Sequence, residues 1–328
     1  MDERLGRVGM ERRMIKCSGP AKAADYLFLL RPTILIPVWT FFLLGAYHGA
    51  RAATGEIETR ALLAGLGSFT ALLGALYIVN QIADRAVDLE RNKLFLVSHG
   101  IIPVRTAWIE TAALVAASVA LALAFLPRLF TAILAASLAL GAAYSLEPVR
   151  LKRRPAVDML ANAIGNGLLN TLAGWIAIGA PLRGWEVLLP YPLAVASVYI
   201  ATTLADREAD SRMGYRTSGV LLGISRGLTL SAALMGGAAV AAYFAANNQA
   251  LVSSLLSLPF FLLPAGWMRK MGIGAAVLIP AKAATLIFSI TAGFLFHAYL
   301  PCIAAVILLT RLYYRRRFGL EYPSFRGA

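Results

Sequence analysis

The chain has 328 residues, of which 59% are apolar and only 15% charged, and its mean hydropathy is +0.69. Soluble domains carry about 25% charged residues, so this composition excludes a single soluble core, and it is far too apolar for a disordered chain. The net charge of 31 − 17 = +14 would suggest nucleic acid in a soluble protein. Here the basic residues fall between apolar runs, as in loops held near anionic lipid, so the partner expected is membrane lipid and no nucleic acid.

Residues 1–22 form a charged arm without an apolar core leading to a cleavage site, and a cytoplasmic amphipathic segment is expected there. Uncharged runs then follow at 32–50, 61–83, 111–127, 129–146, 159–182 and 187–205. Each suits one helical crossing, because about 20 residues span the hydrocarbon layer. The uncharged stretch 227–268 is too long for one crossing and divides at Asn247, Asn248 and Gln249. The stretch 271–310, interrupted only by Lys282, divides at Pro301. This gives a polytopic all-α bundle: a nine-helix core with a possible tenth C-terminal segment. The expected organisation is an arm at 1–22, a transmembrane domain at 23–314 and a basic tail at 315–328.

Basic residues alternate with the runs. Arg85, Arg91, Lys93 and Arg105 lie in the second connection, Arg150, Lys152, Arg153 and Arg154 in the fourth, and Arg207, Arg212, Arg216 and Arg226 in the sixth. The opposite connections hold little beyond Arg51, Arg60, Arg128 and Arg183. The positive-inside rule therefore puts both termini in the cytoplasm and suits a prokaryotic cytoplasmic membrane. Glycines in the second run (Gly65, Gly67, Gly74) and the fifth (Gly165, Gly167, Gly174, Gly179) allow close helix approach. Cys17, Cys302 and the three histidines are scattered and suggest neither a disulfide framework nor a metal-ligand spacing.

The chemistry lies at the run ends. Asn80, Asp84 and Asp88 recur at i, i+4 and i+8, which places them on one helical face. Two like charges at that spacing repel, and a divalent cation such as Mg²⁺, which prefers carboxylates together with substrate phosphates, would relieve this. Asp206 and Asp210 repeat the spacing after the sixth run, at the same end of the bundle. A solvated helix end explains either cluster alone, but two at equivalent ends point to one metal-diphosphate mouth. Arg150 and Lys152 follow the fourth run on that side as phosphate clamps. Arg91 and Lys93 are further candidates beside the first cluster. Asp158 and Asn162, four apart where the fifth run begins, would meet metal, substrate or Lys152, or serve packing. Tyr144 would stabilise a cation through its ring or bond the diphosphate. Tyr199, two turns deeper than Asp206, would line an acceptor pocket or pack between helices.

Asn80-x-x-x-Asp84-x-x-x-Asp88, the segment Tyr144-Ser145 to Arg150-Leu151-Lys152, and Asp206-x-x-x-Asp210, in that order, resemble the motifs of the UbiA superfamily of intramembrane prenyltransferases. The resemblance covers roughly 23–267. It implies nine helices around a central cavity, Mg²⁺ as cofactor, an allylic polyprenyl diphosphate as donor, and a lipophilic acceptor: a quinone precursor, a lipid, a tetrapyrrole or a carotenoid. It further implies that Asp84, Asp88, Asp206 and Asp210 hold the metal with help from Asn80. Thr202 and Thr203 stand where many members carry Asn, and the run from Arg150 to Pro155 looks most like the elongase and lipid-type members. The alternative from another class is a multi-span transporter. It fits less well, because transporters often bind near the midplane and the acidic groups here lie at one face.

Overall fold

The computed structural model describes residues 19–53, 57–91, 93–263 and 273–323. The arm at 1–18 and the connection at 264–272, with Arg269 and Lys270, lie outside the described residues. Helices make up the fold: α1 (Ala23–Leu29), α2 (Pro32–Ala52), α3 (Thr59–Ala83), α4 (Arg85–Glu90), α5 (Phe95–Ser98), α6 (Val104–Phe125), α7 (Arg128–Ser145), α8 (Val157–Asn162), a π-helical segment (Ala163–Leu169), α9 (Asn170–Ala177), α10 (Pro190–Arg212), α11 (Ser218–Phe244), α12 (Asn248–Leu262), α13 (Ile273–Leu295) and α14 (Tyr299–Phe318). Among the described residues, seven helices are long and apolar enough to cross a membrane. The fifth run crosses as a composite of α8, the π segment and α9, and α12 is a shorter apolar helix. The chain is an integral membrane helix bundle.

Close helix approach is most pronounced where α2 meets α9. A Cβ on Gly174 would run into the backbone carbonyl of Phe42, and one on Gly45 into that of Thr171. Gly167 likewise faces the backbone of Pro192, with 2.6 Å to its Cα. Gly67, by contrast, has only Leu121 nearby, at 3.7 Å. Phe42, Phe69, Phe130, Trp175 and Tyr191 fill the core between these helices and are fully buried. In lipid, such packing replaces the hydrophobic drive that holds soluble bundles together.

Asn247 accounts for the sharp reversal between α11 and α12. Its side chain caps α12 by accepting from the Ala250 amide at 2.8 Å and donates to the Val187 carbonyl at 2.8 Å. The Tyr191 hydroxyl adds a contact at 3.4 Å and meets His48 at 2.8 Å. These bonds close the end of the bundle opposite the acidic clusters.

The last reversal differs from the expected division. α13 ends at Leu295 and α14 starts at Tyr299, so Pro301 sits in the first turn of α14. A proline is tolerated there because that turn's N–H groups need no intrahelical partner. α14 then returns beside α2. Tyr299 donates to the Ile36 carbonyl at 2.7 Å, and at the other end Tyr313 donates to Asp25 at 2.6 Å and Arg317 pairs with it at 3.2 Å. The tenth segment is thus a full helix running back to the level of α1, and it passes through the proposed boundary at 314/315 to end at Phe318.

Candidate active site

α3 stops at Ala83 and α4 begins at Arg85, yet the i to i−4 bonding continues through the junction. The Asp84 amide donates to Asn80 at 2.9 Å and the Asp88 amide to Asp84 at 2.8 Å. Asn80, Asp84 and Asp88 therefore keep one face. The fourth connection folds back over them. Arg150 adopts a left-handed backbone, φ 38°, before the short 3₁₀ turn Leu151–Arg153. That conformation is uncommon for a residue with a side chain and tends to mark functional segments. Here it aims two cations at one carboxylate: Arg150 meets Asp84 Oδ1 at 3.0 Å and Lys152 meets Oδ2 at 2.6 Å.

α10 runs past the expected end of the sixth crossing to Arg212, so Asp206 and Asp210 occupy its last two turns. Arg91 crosses from the first cluster to bond Asp210 at 2.9 Å, and the Thr217 hydroxyl meets the same carboxylate at 3.2 Å. Lys93 lies 3.7 Å from the half-exposed Asp206. The two clusters are therefore tied across the bundle by their own basic neighbours. Asp84, Asp88, Asp206, Asp210, Arg91 and Lys152 all line one mouth of about 240 Å³. Burial, reinforced by the charge of Asp84, pushes the Asp88 carboxyl up to about 6. Burial also holds the Lys152 ammonium below its ordinary range, against the opposing pull of Asp84.

Two chambers open inward from this mouth. The first, about 360 Å³, lies between α3, α7 and the α8–α9 crossing; Asn80, Asp84, Tyr144, Lys152 and Asn162 are in its wall. The second, about 250 Å³, lies between α2, α10 and α13, with Phe41, Val195, Val198, Tyr199 and Phe288 in its wall. Tyr77, Asn162 and Asn166 border both. Tyr144 and Tyr199, one from each chamber, meet at the mouth with hydroxyls 3.3 Å apart.

A family model described as the UbiA prenyltransferase family matches residues 34–272. The chain belongs to the UbiA prenyltransferase family. It is 31% identical to the bacteriochlorophyll synthase 34 kDa chain of Chloroflexus aurantiacus over 218 residues, covering 65% of this chain and 69% of that one. It is 26% identical to a probable chloroplastic homogentisate phytyltransferase 2 of Oryza sativa subsp. japonica, covering 66% of this chain but only 55% of the rice protein. In structure it resembles a UbiA homolog from Archaeoglobus fulgidus bound to DMAPP and Mg²⁺ (TM-score 0.66, 25% identity, 87% of this chain and 99% of that one). The complex of the same homolog with GPP and Mg²⁺ gives 0.65 and 26% over the same shares. The chain is a UbiA-type prenyltransferase, which removes the transporter alternative. These curated relatives are named for tetrapyrrole and homogentisate chemistry, not for the elongase or lipid type.

In this UbiA member the remaining expected residues divide. Asn80 lines the first chamber and donates to Ser145 at 3.2 Å. Asn162 donates to the Asp158 carbonyl at 3.1 Å and accepts from Asn166 at 2.9 Å. Asp158 lies outside the lining of the mouth and of both chambers. It is fully buried, accepts from the Ser218 amide at 2.8 Å and from the Ser218 hydroxyl, and so fastens α8 to the start of α11. Arg153, read from sequence as a topology marker, lies in the mouth wall. Its guanidinium covers the Tyr215 ring at 3.9 Å and bonds the Tyr215 hydroxyl at 2.6 Å. Arg31, Thr217, Asn166 and Asn170 were also not expected. Only the Asn162-Asn166-Asn170 spacing carried a signal that could have found any of them.

Among the described residues, no three acidic, histidine or cysteine side chains already converge as a metal cage. Mg²⁺ does not need one, since it keeps several waters and binds through one or two carboxylates plus substrate phosphates. Four carboxylates around one mouth are the hard oxygen donors that such a site takes.

Proposed function

We propose that this UbiA member transfers a prenyl group from an allylic polyprenyl diphosphate to a lipophilic acceptor, with Mg²⁺ and the diphosphate held at the acidic mouth. The observation that carries this reading is the 240 Å³ mouth, lined by both aspartate clusters with Arg91, Lys152 and Arg153, from which two chambers lead inward. The A. fulgidus complexes with DMAPP or GPP and Mg²⁺ support it.

Asp84, Asp88, Asp206 and Asp210 would hold the metal, with Asn80 orienting. When bound, Mg²⁺ supplies positive charge against which pyrophosphate becomes a good leaving group. Lys152, Arg91 and Arg153 line the same space and bond phosphoryl oxygens as negative charge grows on them. Arg150 and Lys152 also hold the Asp84 side chain in place. The C–O bond breaks with its electron pair going to pyrophosphate. The allylic cation left behind lies beside the Tyr144 and Tyr199 rings, whose faces favour positive charge. Helix walls exclude water, which would otherwise capture the cation as an alcohol. The acceptor's carbon or oxygen supplies the new bond, and its proton departs to an oxygen of the pyrophosphate.

The basic connections support a cytoplasmic mouth and cytoplasmic termini in a prokaryotic cytoplasmic membrane. The test is pyrophosphate release from geranylgeranyl diphosphate by the purified protein, over a panel of phenolic, quinol and tetrapyrrole acceptors. Release that requires an acceptor and disappears in Asp206→Asn supports the reading. Undiminished release in that variant, still folded, overturns the assignment of the second cluster.

A further inference from the structure

The two chambers differ at their far ends. Along α3 the first chamber reaches from Asp84 down to Leu73, about 16 Å of helix rise. At depth its wall is apolar except for Ser137 and Asn170. Asn170 is 1% exposed, and neither its amide nitrogen nor its oxygen has a hydrogen-bond partner. The Ser137 hydroxyl, 6% exposed, also has none. Buried polar groups are nearly always satisfied, and each exception calls for a reason. The asparagines of the ladder above behave differently, because Asn166 and Asn162 bond each other and the helix. The second chamber has no such orphan in its wall; Thr40 and Thr285 both bond helix carbonyls.

A prenyl chain has no hydrogen-bonding atom, so its tail against Asn170 would leave three polar groups dry at a cost. In the second chamber it meets hydrocarbon and aromatic walls. Resting on the prenyl-transfer reading above, we infer that the second chamber receives the donor's prenyl chain, and that the first receives the acceptor, whose neutral carbonyl or hydroxyl is bonded by Asn170 and Ser137. The group is neutral because no ionisable side chain lies at that depth, while the cations of this chamber, Arg31 and Lys152, belong to helix and loop residues at the mouth end. Its size follows from volume. A cavity of about 150 Å³ holds one benzene, so 360 Å³ suits a one- or two-ring oxygenated compound. The acceptor's reacting atom then lies toward Tyr144, and the donor's allylic carbon meets it from the side of Tyr199.

The probes are 1,4-naphthoquinone and its shape analogue 1,4-dimethylnaphthalene, titrated into the purified protein in detergent. Geranylgeranyl diphosphate with Mg²⁺ is titrated separately. Wild type is expected to bind the quinone about tenfold more tightly than the hydrocarbon, the scale of one or two net hydrogen bonds. Asn170→Leu should abolish that difference, and Ser137→Ala should reduce it, while donor affinity stays within about twofold of wild type. Asn170→Leu removes an unsatisfied buried amide, so its melting temperature should not fall. Equal binding of the two probes to wild type, or a preference retained in Asn170→Leu, would overturn the subsite and assign the amide to water. Loss of donor affinity in Asn170→Leu would reverse the chamber assignment. Failure of wild type to bind the donor would instead strike the prenyl-transfer reading itself.

Discussion

The tie between Lys152 and Asp84 is the shortest ion pair at the mouth, 2.6 Å, with 13% and 21% of the two side chains exposed. In Asp84→Asn one oxygen still accepts from Arg150 or Lys152, but the new amide NH₂ faces the other cation. The variant therefore loses one charge-assisted bond, worth about 1.5–3 kcal/mol; Arg150 keeps Glu147 at 2.7 Å, while Lys152 is left without its carboxylate. On turnover the loss is larger, because the same carboxylate is proposed to hold the metal; a fall of at least about 100-fold is expected, the scale seen when one transition-state charge contact is removed. Lys152→Met should cost less, since Arg91 and Arg153 remain around the diphosphate. The two act through each other, so the double variant should be less impaired than the product of the singles. A double-mutant cycle on kcat/KM for the donor should give a coupling of at least about 1 kcal/mol, roughly fivefold. The assay is pyrophosphate release from geranylgeranyl diphosphate, with melting in detergent as the check on folding. Strictly additive losses, or wild-type turnover in a folded Asp84→Asn variant, would refute the pairing argument.

Three further outcomes are expected. The Asp88 carboxyl sits near 6, so it is protonated below that pH and ionised above it. Mg²⁺-dependent donor affinity should therefore fall as pH drops through about 6, and Asp88→Asn should flatten that dependence; an unchanged profile in the variant would remove Asp88 from the site. Gly174→Leu forces a side chain into the Phe42 carbonyl, so α2 and α9 should separate, with a stability loss beyond the usual 1–3 kcal/mol of overpacking and poor recovery of monodisperse protein. Because α14 returns to Asp25, a fluorescent reporter fused after the tail should light in the cytoplasm; a periplasmically active phosphatase fusion there would contradict the tenth crossing.

What was legible in the sequence is what repeats locally. The i, i+4 carboxylates survive because hydrogen bonding continues from α3 into α4, so spacing on paper is spacing on a face. The crossings were legible because the absence of charge marks them, and Asn247 marks a reversal by capping. The basic connection was less so. Four residues of one charge type satisfy the positive-inside rule equally well, and only the left-handed turn at Arg150 decides that Lys152 faces Asp84 while Arg153 turns to Tyr215. Asp158 was ambiguous for a similar reason: a carboxylate entering a crossing suits a ligand site or a packing role, and the Ser218 bonds that anchor it come from a residue distant in sequence. Pro301 misplaced the last reversal because a proline is tolerated in the first turn of a helix, so that it marks a start and not the break before it. Asn170 and Ser137 could not be paired from sequence at all, since what distinguishes them is the absence of a partner in three dimensions.

On the proposed function, the mouth recognises diphosphate through metal held by the two aspartate clusters. Calorimetric titration of geranylgeranyl diphosphate into the purified protein, with Mg²⁺ and then with EDTA, tests it most directly. Saturable binding with Mg²⁺ is expected, abolished by EDTA and lost in both Asp84→Asn and Asp206→Asn. Binding of equal strength in EDTA would contradict it.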